Sequence, residues 1–278
     1  MSEVLDPSAT SPLPAGGAPA ADPPQSPQAA PQPAPPRPGW LASLQSLAVT
    51  VVIAMFVISF QVQAFQIPSE SMENTLLIGD YLLVDKVHYG PRGGWGEVLP
   101  YAPIQRGDIV VFRYPVHPQQ HFVKRVIGVP GDRVRLEGRR VLVNGVPLRE
   151  DYVIHTRSDY DRFRDDFPVT DFPSSNVDAG WWKQMGKLVR QGELIVPPDR
   201  FFVLGDNRDE SLDSRYWGFV PRANIIGRPL VIYWSVRAPG ANEEAASNPR
   251  SDRLSAFLYG VTHLVQDTRW NRTLRIVR

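Results

Sequence analysis

The chain of 278 residues contains no cysteine, so disulfides, thiolate metal sites and cysteine nucleophiles are all excluded. It has only five histidines and no HExxH arrangement, which argues against a zinc hydrolase. Neither charge is in excess, with 30 Lys and Arg against 29 Asp and Glu, so nothing in the composition points to nucleic acid. A GxSxG nucleophile elbow, a glycine-rich phosphate loop and an EF-hand are also missing. A serine nucleophile would therefore need another activating arrangement.

A segment without charged residues lies near the N-terminus. No Asp, Glu, Lys or Arg occurs between Gly39 and Pro68, and most of this segment is apolar. The stretch from Trp40 to Phe60 has 21 residues, which matches the ~20 that a bilayer-spanning helix requires. We therefore predict a single transmembrane anchor over residues 40–66.

A cleaved signal peptide is the alternative for this segment, because VQA at 62–64 has the small-residue ending of a cleavage site. The apolar stretch is longer than the ~7–15 residues of a signal-peptide core, which favours a retained anchor. Arg37 precedes the segment, and the next basic residue is Lys86. This asymmetry favours a cytoplasmic N-terminus, with the bulk of the chain outside.

The two ends of the chain differ in composition from its middle. Residues 1–39 are mostly Pro, Ala, Ser and Gly, with too little apolar surface to offset the entropy of ordering. We predict a disordered or partly polyproline-like tail there. Within residues 250–278, apolar residues at 254–265 fall on one helical face, and the basic stretch RWNRTLRIVR follows them. The apolar face predicts a helix that lies either on a membrane surface or packed on the domain.

Residues 67–249 predict a mostly β domain. Short apolar runs follow Gly-Asp pairs in GDYLLVDKV, GDIVVFRYP and GDRVRLEG, and Gly-Asp is typical of turns. RVLVNGVPL predicts a hairpin with Asn-Gly at its tip, and Pro229 in NIIGRPLVIYWSV indicates an edge or a bulge. Residues 148–197 interrupt this rhythm with charges and two adjacent tryptophans, so we interpret them as an inserted subdomain.

Three segments carry residues that can do chemistry. Ser69 and Ser71 follow the apolar segment in IPSESM, although most serines in turns are simply solvated. Lys124 lies in KRVIGVPGD on a predicted strand, where a lysine usually reaches water at an edge. If it is buried, desolvation lowers its pKa, and the neutral amine can take a proton from a serine. The loop GDNRDESLDSR at 205–215 contains many charged and hydroxyl side chains and lies between two apolar runs. The default interpretation of such a loop is a solvated surface segment with local ion pairs.

Taken together, these three segments resemble the serine, lysine and C-terminal boxes of bacterial type I signal peptidases, in the same order and after a membrane span. The resemblance covers roughly residues 60–148 and 198–236. It implies a mostly β fold: a signal-peptidase-type antiparallel β domain with an inserted subdomain, preceded by one transmembrane helix. Its core would be shared with self-cleaving SOS-repressor-type proteases. No metal and no cofactor are implied.

The resemblance also implies roles for individual residues. Ser71 would be the nucleophile, Lys124 the general base, Ser69 an oxyanion-hole donor and Ser211 the group that orients the lysine. Structural support would come from Asp213, Arg215 and Arg125. Shallow pockets would accept small side chains at the first and third positions before the scissile bond of an extended substrate. Their lining residues would be Phe65, Ile67, Met72, Leu76, Leu82, Phe122 and Val123.

Three positions depart from the commonest family pattern. Glu70 replaces the usual glycine between the serines, Asn74 stands where proline is often found, and Glu210 occupies a frequent asparagine position. None of them removes a side chain that would take part in bond making or bond breaking. A carboxylate beside the nucleophile would raise the lysine pKa if it pointed inward, so we expect Glu70 to point to solvent.

The implied function is that of a membrane-bound serine endopeptidase that cleaves N-terminal signal peptides from exported preproteins through an acyl-enzyme. It would be a single-pass protein of the bacterial plasma (inner) membrane, with a cytoplasmic N-terminus and its catalytic domain on the outer, periplasmic side. Its partners would be secretory preproteins with small residues before the cleavage site, and membrane lipid, but no nucleic acid.

Other interpretations stay open at this point. A related Ser/Lys membrane protease with a dedicated substrate and a non-enzymatic, membrane-anchored binding domain would share these features. A serine–histidine dyad could use His121, but this residue lies three positions before Lys124, on the opposite face of the predicted strand. A self-cleaving cytosolic repressor is disfavoured by the membrane span and by the lack of a DNA-binding motif.

Overall fold

The structure, a computed structural model, describes residues 39–60, 62–87, 89, 102–171, 176–237 and 267–277. Apart from Gly39, the predicted N-terminal tail lies outside these residues, and so does the apolar helical face at 254–265.

Helix α1, Gly39–Phe60, is the first described element. It has no charged residue, and its portion 39–56 is long and apolar enough to cross a membrane. The helix ends before residue 66, the predicted end of the anchor, because Val62–Gln66 already form strand β1. The chain therefore passes from the apolar helix into the β domain within two residues.

In the described part of the chain, eight strands form one mostly antiparallel sheet. They are β1, β2 (Asp80–Asp85), β3 (Ile109–Arg113), β4 (His121–Gly128), β10 (Arg200–Leu204), β11 (Val220–Pro221), β12 (Ile225–Ser235) and β13 (Arg275–Ile276). The spatial order is β1-β2-β12-β3-β4-β10-β11, and β13 pairs with β12. The short helix α4, Ser214–Trp217, follows β10 along the chain.

A second sheet of five described strands has the order β7-β6-β5-β9-β8. Its strands are β5 (Arg133–Glu137), β6 (Arg140–Val143), β7 (Val146–Pro147), β8 (Val189–Arg190) and β9 (Glu193–Ile195). Helices α2, Arg162–Asp165, and α3, Ala179–Leu188, lie between β7 and β8 in the chain. Residues 148–197, the predicted insertion, thus supply α2, α3, β8 and β9, and the strands just before them complete the same sheet.

Local sequence signals give the expected backbone. Asn144 and Gly145 have φ of 55° and 78°, the left-handed values of a two-residue hairpin turn, and Val143 pairs with Val146 across it. The predicted hairpin is confirmed. Pro229 lies where the pairing between β2 and β12 shifts register, which confirms the predicted bulge. The fold class is mostly antiparallel β, as predicted.

Two apolar clusters bear on the position of the site. One joins the second sheet and α3 to β10, and includes Trp181, Met185 and Phe202. The other lies beneath the segment that follows β1, and consists of Ile67, Met72, Leu76, Leu82, Val84, Ile109, Val111 and Ile232. Because burial of such side chains typically contributes about 1.5–3 kcal/mol each, both clusters hold the loops above them against a rigid base.

Candidate active site

Ser71 and Lys124 are adjacent in space although 53 positions separate them in the chain. The Lys124 Nζ donates a hydrogen bond to the Ser71 Oγ over 2.5 Å. Both residues are buried, with 6% of Ser71 and 4% of Lys124 exposed. A hydroxyl and an amine in direct contact, away from bulk water, have the geometry of a nucleophile and its general base.

Sheet register explains the position of Lys124. On β4 it faces Val110 of β3, and its Nζ lies 5.5 Å from the ring centre of Phe122, two residues earlier on the same strand face. The neighbouring Arg125, on the opposite face, is also buried. The alternation of apolar and basic residues left open whether the lysine reached water. Strands β3 and β10 flank β4, so it is an interior strand of the sheet rather than an edge.

Burial lowers the pKa of Lys124 from 10.5 to about 8. Among the charged groups, Asp213 and Asp206 raise this pKa and Arg215 lowers it, but desolvation of the ammonium is the largest cause. An ordinary lysine is almost wholly protonated at neutral pH. With its pKa near 8 the amine is neutral in an appreciable fraction of molecules, which a general base requires.

Ser71 lies in a single 3-10 turn, Glu70–Met72, directly after Ser69. The Ser69 backbone is extended, and its Oγ is 3.3 Å from the Ser71 Oγ. Met72 has 1% of its surface exposed and fixes the turn in the apolar cluster beneath it. Glu70 is exposed, in agreement with the expectation that its carboxylate points to solvent.

The loop that carries Ser71 is closed by backbone hydrogen bonds. The Ile67 N–H donates to the Asp80 carbonyl over 2.9 Å, and the Gly79 N–H donates to the Ile67 carbonyl over 3.0 Å. The Asn207 N–H donates to the Ser71 carbonyl over 3.2 Å. Ser71 is therefore tied both to the start of β2 and to the loop at 205–215.

The C-terminal segment reaches the same loop, which sequence reasoning did not predict. Arg272, itself buried, donates to the Asp80 carboxylate over 2.6 Å and to the Thr75 carbonyl over 2.9 Å. Burial alone would raise the pKa of Asp80, but hydrogen bonds from Arg272, the Leu77 N–H and Ser235 lower it below its ordinary value. A basic stretch near the C-terminus was the only signal, and it does not specify a partner almost 200 residues away.

Arg125 and Asp206 form a buried ion pair beside Lys124. The Arg125 Nε and Nη2 donate to the two Asp206 oxygens over 2.9 and 2.7 Å, and Nη1 donates to the Gly107 carbonyl over 2.8 Å. The Thr75 Oγ1 donates to the same carboxylate over 2.5 Å. Two elements of the site, β4 and the loop that carries Ser71, thus meet at Asp206, a residue that sequence reasoning did not single out.

Asp213 and Arg215 form a second buried pair, with two side-chain hydrogen bonds of 2.8 Å between them. Burial alone would raise the pKa of Asp213, but Arg215 lowers it below its ordinary value. The Arg215 Nη2 also donates to the Arg208 carbonyl over 2.7 Å, across the turn of the loop. The pair therefore holds the shape of residues 205–215.

Ser211 is buried in this loop. Its hydroxyl helps to lower the pKa of Asp213, yet it forms no hydrogen bond of ordinary geometry with any residue in the described ranges. The hydrogen bond to Lys124 that the family resemblance implies is therefore not present in this structure. Its orienting role stays a prediction.

Gly205 is a further residue that sequence reasoning passed over. A β-carbon at this position would lie 2.3 Å from the Ser211 Oγ and 2.4 Å from the Ser71 carbonyl oxygen. Only glycine allows these two serines to approach the end of β10 so closely. The available signal was the Gly-Asp pair at 205–206, since glycine is the residue that such a close approach requires.

A cavity of about 270 Å³ opens beside Ser71. Five of the predicted pocket residues line it: Phe65, Ile67, Met72, Phe122 and Val123. The other two, Leu76 and Leu82, have no exposed surface and belong to the apolar cluster beneath. Lining residues that were not predicted include His121, Glu210 and Leu212.

His121 lies at the rim of this cavity, and its ring packs edge-on against Phe65 with the ring centres 5.4 Å apart. No hydrogen bond connects it to Ser71 in the portion of the chain that is described, whereas Lys124 is bonded directly. This geometry favours lysine over histidine as the partner of the serine.

The chain is similar in sequence to proteins of one family. A family model described as "Signal peptidase, peptidase S26" matches residues 40–234. A signal peptidase I of Leptolyngbya laminosa is 37% identical over 230 residues, which cover 78% of this chain and 92% of the relative. A signal peptidase I of Pseudomonas aeruginosa is 36% identical over 208 residues, which cover 69% and 71%. A crystal structure of a signal peptidase I from Enterococcus faecalis V583 is 34% identical, with a TM-score of 0.35, and covers 46% of this chain and 97% of that one.

Proposed function

Because the chain belongs to the signal peptidase S26 family and is a serine peptidase that acts on signal peptides, we propose that Ser71 and Lys124 are its catalytic dyad. The observation that carries this proposal is the 2.5 Å hydrogen bond between the two side chains in a buried setting. The lowered pKa of Lys124 supports it, since a protonated lysine cannot accept the serine proton.

In the first step, the Ser71 Oγ attacks the carbonyl carbon of the scissile peptide bond. The neutral Lys124 amine takes the hydroxyl proton as the Oγ–C bond forms, and the carbonyl oxygen becomes an oxyanion. The lysine ammonium then gives this proton to the leaving amine, and the C–N bond breaks. The products of this step are an ester on Ser71 and the free N-terminus of the mature protein.

The oxyanion would be stabilised by donors at the nucleophile turn. The Ser69 hydroxyl and the Ser71 backbone N–H are the proposed pair, and the 3.3 Å approach of the two serine hydroxyls supports this assignment. Such donors act strongly because they are already oriented before the charge develops.

Water completes the cycle by hydrolysing the ester. Lys124 again acts as base, taking a proton from the attacking water, and returns it to the Ser71 Oγ when the acyl group leaves. The buried pairs Asp213–Arg215 and Arg125–Asp206 hold the surrounding loop and strand. Ser211 is proposed to orient the amine when substrate is bound.

The cavity beside Ser71 would accept the small side chains that precede the cleavage site. β1 is the outermost described strand on its side of the sheet, so an extended substrate could add main-chain hydrogen bonds along it. The partly buried Phe65 and Val123 would then form the walls against which small side chains fit.

The family is membrane-associated, and α1 is the candidate span. We propose a retained single-pass anchor, with the catalytic domain on the outer side of the plasma membrane and in contact with lipid. Retention is supported by the VQA stretch, because residues 62–64 lie in β1 and pair with residues 83–85 of β2. Cleavage after Ala64 would remove most of this strand.

The decisive experiment compares the purified full chain in detergent with its Ser71→Ala variant on a precursor whose signal peptide ends in Ala-x-Ala. Wild type should release the mature protein, and Ser71→Ala should not. Ser158→Ala, which changes an exposed serine, is the matched control and should cleave like wild type. Full activity of Ser71→Ala would refute the dyad. A folded wild type that cuts only one native precursor would favour the dedicated-substrate alternative, and no cleavage at all would favour a binding domain.

A further inference from the structure

The first part of the insertion runs alongside the loop of the third motif. We call residues 150–157, between β7 and α2, the strap. Ile154 of the strap forms an isolated parallel bridge with Asn207. The Ile154 N–H donates to the Asp206 carbonyl over 3.0 Å, and the Arg208 N–H donates to the Ile154 carbonyl over 3.1 Å. The strap is thus joined to the loop by backbone hydrogen bonds on both sides of one residue.

Further hydrogen bonds and ion pairs extend this contact over residues 207–210. Thr156 reaches Asn207, Glu150 pairs with Arg208, His155 and the Arg157 N–H reach the Asp209 carboxylate, and the Arg157 side chain pairs with Glu210. Each of the five loop residues is therefore held by a residue of the strap. This loop contains Asp206, the partner of Arg125, so the strap bears directly on the surroundings of Lys124.

Tyr152 is the strap residue that touches the other two motif segments. Its ring lies over the guanidinium of Arg125, with 3.9 Å from Cζ to the ring centre. Its backbone carbonyl accepts a hydrogen bond of 3.0 Å from the Asn74 Nδ2, in the nucleophile loop. Burial raises the pKa of the Tyr152 hydroxyl, so the ring stays neutral, and a neutral aromatic face attracts a guanidinium.

Asn74 fits this contact through its backbone. Its φ is 84°, in the left-handed region that asparagine tolerates and that proline, with φ fixed at about −65°, cannot adopt. One of the departures from the family pattern is therefore the residue through which the nucleophile loop meets the strap.

We propose that Tyr152 is a positioning residue of the active site, whose ring clamps the Arg125 guanidinium onto Asp206 and shields this ion pair from water. The proposal rests on the proposed dyad, because Tyr152 acts on Lys124 only through Arg125 and Asp206. It also gives a role to the strap, which holds the loop at 205–215 against β4, the strand that carries Lys124.

The expected effect on the base follows from the charges that face Lys124. These are Asp206 and Asp213, which raise its pKa, and Arg215, which lowers it, while Arg125 compensates Asp206. Without the ring, the Arg125 guanidinium loses one of the contacts that hold it against Asp206, and its displacement lets the Asp206 charge act more strongly on the lysine. This change raises the pKa of Lys124, so less of the neutral amine is present at a given pH.

The test is the pH profile of kcat/KM for Tyr152→Leu and Tyr152→Phe in the full chain. Leucine keeps apolar bulk but has no ring, so the acidic limb should move up by about one pH unit, with kcat/KM at pH 7 falling about tenfold and mainly through kcat. Phenylalanine keeps the ring and loses only the hydroxyl, which donates to Glu150, so its profile should match wild type. Tyr160→Ala, at an exposed tyrosine of the insertion, is the control and should change nothing.

An unchanged acidic limb in Tyr152→Leu would overturn the proposal, and so would a rise in KM alone or a Tyr152→Phe variant that behaves like Tyr152→Leu. Thermal unfolding checks each variant, and Tyr152→Met, similar in length and without a ring, takes the place of a leucine variant that does not fold. Failure here is distinct from failure of the proposed function, because cleavage by wild type and its loss in Ser71→Ala do not depend on Tyr152.

Discussion

The indole N–H of Trp181 donates to the backbone carbonyl of Arg215 over 3.1 Å. Trp181 belongs to α3 in the insertion and has 3% of its surface exposed. Its ring also covers Gly218, where a β-carbon would lie 2.6 Å from the nearest ring atom. Through this residue the insertion packs against the segment that carries Asp213 and Arg215, so the subdomain is part of the support for the site.

Trp181→Phe should therefore destabilise the protein. Phenylalanine keeps most of the apolar contact but leaves the buried Arg215 carbonyl without its donor, which typically costs about 1–3 kcal/mol of the free energy of unfolding. Denaturant unfolding measures this change. Trp182→Phe is the matched control, since its indole N–H makes no hydrogen bond to the described residues, and the loss there should be smaller. Equal losses for both variants would mean that the hydrogen bond contributes nothing.

Gly205→Ala should lower kcat strongly. The added methyl group would overlap both the Ser211 hydroxyl and the Ser71 carbonyl, so the nucleophile turn must shift. A displacement of about 1 Å at a reacting group can reduce the rate about 100-fold. Steady-state kinetics on a precursor measures kcat. Gly186→Ala in α3 is the control, because a β-carbon there meets nothing within 4 Å and should leave kcat unchanged. Wild-type kcat for Gly205→Ala would show that the turn tolerates the shift.

The activity should depend on the protonation of Lys124. Its folded-state pKa is depressed to about 8, so kcat/KM should rise with pH through an apparent value near 8, because only the neutral amine accepts the serine proton. Lys124→Arg keeps a cation that does not deprotonate, and Lys124→Met keeps the apolar stem. Both should abolish cleavage while the protein stays folded by circular dichroism. Substantial cleavage by the arginine variant would contradict a base at this position.

Ser69→Ala tests the oxyanion donor. Loss of one such donor typically reduces kcat about 10²–10³-fold. Because Ser69 is exposed, the substitution should leave the melting temperature close to that of wild type. Ser69→Thr keeps a hydroxyl and should retain much more activity than alanine. An alanine variant with unaltered turnover would show that this hydroxyl is not a donor in the transition state.

The predicted topology has its own test. If α1 is a retained anchor with its N-terminus in the cytoplasm, protease added to intact spheroplasts should degrade residues 66–278 and spare cytoplasmic proteins. Digestion of lysed cells provides the control for accessibility. Full protection in spheroplasts, followed by degradation after lysis, would place the domain on the inner side.

Local sequence patterns were sufficient for several features. The charge-free run predicted α1, since a long apolar stretch favours a helix, which makes its backbone hydrogen bonds internally. Asn144 and Gly145 gave the hairpin, since both residues tolerate positive φ. The three motif segments gave the family in which the chain is placed. Helix α1 ends at Phe60 because Val62–Gln66 pair with β2, and an uncharged run by itself does not distinguish a helix from an edge strand.

Only the tertiary structure decided how these segments meet. The alternation around Lys124 allowed a buried lysine but was more typical of one that reaches water at an edge, and its burial depends on β3 and β10, which come from distant parts of the chain. The same holds for Tyr152 over Arg125 and for Arg272 on Asp80. The sequence by itself determined the turns, the apolar helix and the candidate reactive groups, because these depend on the backbone and side-chain chemistry of neighbouring residues. Distances between reactive groups depend on sheet register and packing across the whole domain, and no local pattern contains them.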